Sequence, residues 1–169
     1  MFELAPAVAA DAAAIDQLLD DCFGPARRLR TAYRLRDGVM PLAGLSLVAH
    51  DAGNLVGSIQ LWPLRLLHGA TTALTLLGPL AVSPVRRSEG IGKALLTEAL
   101  ARADDTAGPP IVLIGDQDYY GAFGFIAAPT QGWAVPGPVD RARLLVRHGN
   151  NLPIVGRLTA ATEDFRIAA

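Results

Sequence analysis

The sequence has 169 residues, of which 51% are hydrophobic, a size and composition that suit one domain, 1–169, with a buried core. Fifteen basic against sixteen acidic residues leave a net charge of -1, so the chain as a whole has no electrostatic attraction for nucleic acid or an anionic membrane. A single cysteine excludes an internal disulfide and any multi-cysteine metal site; with no membrane-length apolar run and no secretory pattern in Met1-Phe2-Glu3-Leu4-Ala5-Pro6, the expectation is a cytoplasmic protein without a metal.

In chain order, Phe2 to Val8 reads as a strand, and a helix opens at Ala10-Asp11 with Ile15, Leu18, Leu19 and Cys22 at three- and four-residue spacing, stopping at Gly24-Pro25. Cys22, beside Phe23 on that apolar face, reads as packing rather than as a nucleophile. Ala26 to Arg36 reads as a second helix bearing five arginines, either a solvated face or a wall of a substrate or phosphate site. Leu45 to His50 and Leu55 to Leu67 should form an antiparallel pair across the turn Asp51-Ala52-Gly53-Asn54. Thr71 to Val82 has the β-branched and leucine content of a central strand, with a bulge or splay expected at Gly78-Pro79.

Glu89 to Ala103 should be helical, with Ile91, Ala94, Leu95 and Ala99 on one face. Ile111-Val112-Leu113-Ile114 is a short, wholly apolar strand, and Gln117 to Phe123 a short helix ended by Gly124. Pro129 to Pro138 reads as irregular. Ala142, Leu144 and Val146 alternate with Arg141, Arg143, Leu145 and Arg147 as in a late strand, and the stretch around Asn150-Asn151-Leu152-Pro153 reads as a terminal excursion.

The richest segment runs from Leu80-Ala81-Val82 through Ser83-Pro84 and Arg87-Ser88-Glu89-Gly90-Ile91-Gly92 into Lys93-Ala94-Leu95. Glycines at 90 and 92 let a ligand approach the main chain, and the unpaired amides and dipole of a helix start favour an anion, most naturally a diphosphate. Arg87 and Ala94 exclude a Walker loop, which needs glycine and Ser or Thr there. Leu95 and the acid-free strand Ile111 to Ile114 exclude a dinucleotide fingerprint.

The spacing Arg-x-x-Gly-x-Gly after a strand instead resembles the acetyl-CoA motif of the GNAT superfamily, and Gly115-Asp116-Gln117-Asp118-Tyr119-Tyr120-Gly121-Ala122-Phe123-Gly124-Phe125 is similar to its later region, as found in bacterial YhbS-like N-acetyltransferases. The resemblance implies an α/β (α+β) fold: a mixed, mostly antiparallel sheet flanked by helices and splayed between its fourth and fifth strands. It implies acetyl-CoA as cosubstrate, paired along Leu80, Ala81 and Val82 and held by Arg87, Ser88, Glu89, Gly90, Ile91, Gly92 and Lys93. Tyr120, at the motif position, would protonate the departing thiolate, although side-chain chemistry alone leaves Tyr119 open. The acceptor would be the amine of a small molecule, protein or peptide, with a homodimer allowed, and the residues between Cys22 and Arg36 and around His68 and Trp133 would shape its pocket. Two positions depart from many relatives: Asp116 replaces a small amide, and Glu89 replaces a basic residue. With no acid in Thr72 to Val82, removal of the amine proton is left to a water chain, His68 or Asp116. The competing reading is a non-catalytic acyl-CoA-binding sensor or interaction module.

Overall fold

The computed structural model describes residues 1–162; residues 163–169, which the sequence places in the same domain, lie outside them. In chain order the elements are β1 (Glu3–Pro6), α1 (Ala12–Phe23), α2 (Thr31–Arg34), β2 (Leu47–Asp51), β3 (Asn54–Leu67), β4 (Thr71–Val82), α3 (Ile91–Asp105), β5 (Ile111–Ile114), α4 (Gln117–Tyr120), β6 (Gly132–Ala134), β7 (Leu144–Arg147) and β8 (Val155–Ala160). By hydrogen bonding the strands follow the order β1-β2-β3-β4-β5-β7, with β8 joined to β3 and β6 to β8. The sheet is therefore mixed and mostly antiparallel, with a parallel β4–β5 pair, as expected. Two compact units share the chain, and β3 and β4 each run through both.

The first unit comprises Met1–Arg28, Pro41–Leu61 and Gly78–Gly108. Its β2–β3 hairpin closes through Ala52 and Gly53, both at positive φ (49° and 80°), the backbone that matches the twist of a two-residue hairpin. Ile15, Leu18 and Leu19 of α1 are buried against Val48 and Ala81, so the three- and four-residue spacing read from the sequence is the packed stripe. The helix stops at Gly24, whose amide donates to Asp20 O at 2.8 Å. Along α3 the buried residues are Ile91, Leu95, Leu96, Ala99, Leu100 and Ala103, a wider apolar face than the sequence reading assigned.

The second unit comprises Leu29–Met40, Trp62–Leu77 and the described residues from Pro109 onward. Here β4 pairs in parallel with β5 at Thr75–Ile111 and Leu76–Val112, and β5 pairs antiparallel with β7 from Ile111–Arg147 to Ile114–Leu144. The far half of β3 carries β8 (Leu64–Ala160 to Leu67–Arg157), and β8 carries β6 in parallel. The core is Leu35, Leu64, Leu66, Leu74, Leu76, Val112, Trp133, Leu144, Val146 and Leu158.

Several expectations are corrected. The second helix is two short pieces, a 3-10 turn Pro25–Leu29 and α2, and of its five arginines Arg28, Arg30 and Arg34 are exposed whereas Arg27 and Arg36 are buried. Arg27, 2% exposed, donates from Nε to Asp20 at 2.8 Å and from a terminal nitrogen to Asp16 at 2.5 Å, tying the end of α1 to the chain that follows it. Arg36 is also buried, its guanidinium 3.7 Å from the Tyr33 ring centroid and 4.8 Å from that of Trp62. Leu144, Leu145 and Val146 are all buried, so β7 does not alternate, and Arg141–Arg143 form a 3-10 turn before it. Strands β6 and β8 lie where irregular chain and a terminal excursion were expected. The Gly78–Pro79 peptide is cis.

Trp133 itself is fully buried, its indole N–H donating to Pro153 O at 2.7 Å, while Arg141 donates to its carbonyl. Trp133→Ala should accordingly destabilise the protein by about 3–5 kcal/mol in urea titration. A cost below about 1 kcal/mol would mean that Trp133 is not a core residue.

Candidate active site

In the first unit, β4 ends at Val82, and the Ser83 amide donates to Val56 O at 2.9 Å, fixing the exit from the sheet. Pro84 opens a 3-10 turn, Pro84–Arg86, because its ring presets φ. The chain then extends at Arg87 (φ -64°, ψ 153°) and turns left-handed at Ser88 (φ 68°) and again at Gly90 (φ 81°), the residue that caps α3. Glycine at 90 removes the penalty that a side chain meets at positive φ. Beyond Arg86, whose amide donates to Ser83 O at 2.8 Å, the next amide bonded to a carbonyl is that of Ala94, donating to Gly90 O at 2.9 Å. The amides of residues 87–93 thus have no protein acceptor among the described residues, and they open onto the positive end of a 15-residue helix. Backbone donors converging at a helix start are what an anion needs.

The side chains of the turn are disposed unevenly. Arg87, Ser88, Glu89, Gly90 and Lys93 are exposed, Gly92 and Leu80 are half-buried, and Ile91 and Ala81 belong to the core. Half-buried Val82 has its carbonyl 3.2 Å from Cys22 Sγ, which donates to it. Burial pushes the Cys22 thiol up, so the group stays protonated and packs as expected. The carboxylate that was expected to weaken the local positive field, Glu89, accepts from Arg86 Nε at 2.7 Å, and Arg86 in turn donates to Asp51 Oδ2 at 2.6 Å. The arginine hydrogen bond holds Glu89 below the usual carboxylate range. Arg86 and Asp51 were not singled out from the sequence; only the three-residue spacing of Arg86 and Glu89 hinted at the pair.

In the second unit, Asp116 caps α4: its side chain accepts from the Asp118 amide at 3.1 Å, and its carbonyl from the Tyr120 amide at 2.9 Å. Its carboxylate thus has a local structural task. His68 Nε2 likewise lies 2.8 Å from Thr72 Oγ1. Tyr119 and Tyr120, adjacent in sequence, differ in setting. Tyr119 is exposed, whereas Tyr120 is partly buried, meeting Tyr119 edge-on at 4.9 Å and Phe125 at 6.0 Å between ring centroids. Burial, reinforced by Tyr119 and opposed by Arg143, leaves the Tyr120 phenol pushed up to about 12. Among the described residues its hydroxyl has no hydrogen-bond partner. Arg143 also lines an open cavity of about 520 Å³ with Asp116, Gln117, Asp118, Asp140 and Ala142.

The family model described as an acetyltransferase (GNAT) domain matches residues 3–128. Among solved structures, the chain is similar to the GNAT family N-acetyltransferase YhbS from Escherichia coli in complex with CoA, at 24% identity and TM-score 0.76, over 94% of this chain and 89% of that one. It is also similar to a GNAT family acetyltransferase from Brucella melitensis in complex with acetyl-CoA, at 30% identity and TM-score 0.59, over 88% and 96% of the two chains. A search of the curated proteins finds no match.

One backbone position controls the Tyr120 ring. A Cβ on Gly115 would sit 2.5 Å from Tyr120 Cε2 and 2.9 Å from Leu113 Cδ1, closer than atoms tolerate. Gly115→Ala should therefore displace the ring and destabilise the fold by about 1–3 kcal/mol, measured by denaturant titration. An unchanged midpoint would show that the ring is not held against residue 115.

Proposed function

The chain belongs to the GNAT acetyltransferase family, and we propose that it transfers the acetyl group of acetyl-CoA to a primary amine by direct attack of the nitrogen on the thioester. The observation that carries this reading is the run of unpaired amides from 87 to 93 at the start of α3, a built site for a diphosphate. Leu80, Ala81 and Val82 supply the strand for the pantetheine arm, Arg87 and Lys93 add positive charge at the phosphates, and Gly90 and Gly92 keep the approach clear. The chain acts as one domain in this reading, because β3 and β4 are continuous through both units. That the relatives from E. coli and B. melitensis were solved with CoA and acetyl-CoA supports the same ligand here.

Tyr120 is assigned the donor to the departing sulfur. Its ring is partly buried and packs against Gly115 and Phe125, whereas Tyr119 is exposed. Asp116 and His68 are occupied in capping α4 and pairing with Thr72, which leaves the water chain as the route for the amine proton.

The test is release of CoA thiol from acetyl-CoA across a panel of primary amines. Wild-type protein should release thiol with at least one amine, and Tyr120→Phe should lower turnover by roughly 10²- to 10⁴-fold at unchanged CoA affinity, whereas Tyr119→Phe should not. CoA binding without amine-dependent release would favour the non-catalytic module.

The raised phenol adds a pH signature. A Tyr120 hydroxyl pushed up to about 12 keeps its proton throughout the range below that value, so it should cause no fall in rate up to about pH 10. A falling limb below pH 10 that disappears in Tyr120→Phe would contradict this assignment.

A further inference from the structure

Arg86 lies one position outside the motif, yet its guanidinium reaches in two directions. Nε donates to Glu89 Oε1 at 2.7 Å within the turn, and a terminal nitrogen donates to Asp51 Oδ2 at 2.6 Å on the β2–β3 hairpin. Arg86 and Asp51 are only 23% and 24% exposed, whereas Glu89 is 43% exposed, so the clasp is anchored on the hairpin and holds the more exposed carboxylate at its outer end. Glu89 stands between the two left-handed residues Ser88 and Gly90, within the run of amides, 87–93, that lack acceptors. A carboxylate there is itself an anion tethered at the positive end of a helix. Released, it would fold onto the amides and compete with any phosphate.

We propose that Arg86 is a positioning residue for the cofactor turn, which draws Glu89 aside onto the Asp51 hairpin so that the amides of 87–93 stay open to the diphosphate of acetyl-CoA. This rests on the CoA reading above and adds to it how the chain manages an acidic residue at its own anion site. The planar fork of arginine suits the task because it makes two bonds at fixed angles to two carboxylates, which an ammonium group does not reproduce.

The experiment measures CoA affinity by calorimetry for wild type, R86Q, E89Q and the double variant R86Q/E89Q, with thermal melts alongside. R86Q should weaken binding by roughly 3- to 5-fold, the scale of a partly exposed charge interaction. E89Q should bind CoA more tightly than wild type, because it removes a negative charge from the turn, and the double variant should recover the affinity that R86Q loses. With an amine acceptor in hand, the loss in R86Q should appear in KM for acetyl-CoA and not in kcat. Equal weakness in R86Q and R86Q/E89Q would mean that Arg86 acts on the phosphate or on the fold, and would overturn the proposal, as would a loss in E89Q alone. If R86Q does not fold, R86K replaces it, with the same rescue by E89Q required. Wild-type protein that fails to bind CoA would remove the cofactor assignment itself, a result distinct from a failed rescue in a wild type that binds.

Discussion

Backbone amides can hold an anion only if they lack protein partners and are nevertheless kept in place, and these two demands conflict, because unpaired amides are usually mobile or wet. Here the conflict is met by pinning both ends of the turn. The Ser83 amide bonds to Val56 O on one side, and Ile91, Leu95 and Ala99 bury α3 on the other. Between them two left-handed residues, Ser88 and Gly90, reverse the chain without consuming its donors. The exit from β4 and the apolar face of α3 fix the two ends of that stretch.

Charge plays a second part, mostly as fasteners. Arg27 joins Asp16 and Asp20, Arg36 lies against Tyr33 and Trp62, Arg34 donates to Pro136 O at 2.7 Å, and Arg86 joins Glu89 and Asp51. Arg27, Arg36 and Arg86 each engage two groups at once. Arginine suits this because it keeps its charge when partly buried and makes several directed bonds at once. The near-zero net charge therefore conceals a set of internal ion pairs rather than a uniformly neutral surface.

The legible parts of the sequence were those whose signal is local. The twelve residues of β4 stand out by composition, α3 by the spacing of Ile91, Leu95 and Ala99, and the turn before α3 by the glycines at 90 and 92. What escaped depends on distant partners. Gly132-Trp133-Ala134 is too short to carry a period, and becomes a strand only because β8 lies beside it; β8 itself buries just Leu158 and Ala160, so its own pattern is weak. Arg27 reads as exposed until Asp16 and Asp20, eleven and seven residues earlier, are seen to face it across a helix end. Asp51 and Arg86 are 35 residues apart, and no spacing rule links them. The carboxylate of Glu89 looked like a defect in the turn for the same reason: the residue that restrains it is anchored on another hairpin.

The value of about 12 for Tyr120 bears on how the proposed chemistry closes. Such a phenol is a weaker acid than a thiol with a reference pKa of ~8.5, so complete proton transfer from it to the departing thiolate is uphill. Tyr120 is thus better suited to donating a hydrogen bond to sulfur as the carbon–sulfur bond lengthens than to giving up its proton outright. The attacking amine, meanwhile, becomes positively charged as its bond to the carbonyl carbon forms, and it must lose a proton before the amide is stable. In the proposed reaction a water chain carries that proton away from nitrogen, while the Tyr120 hydroxyl donates its hydrogen bond to the departing sulfur. On this route no carboxylate on β4 is required, which fits a strand whose residues, Thr71–Val82, include no acid. Burial keeps the Tyr120 hydroxyl protonated in the range below about 12, so the hydrogen bond it is proposed to donate to sulfur is available throughout neutral pH.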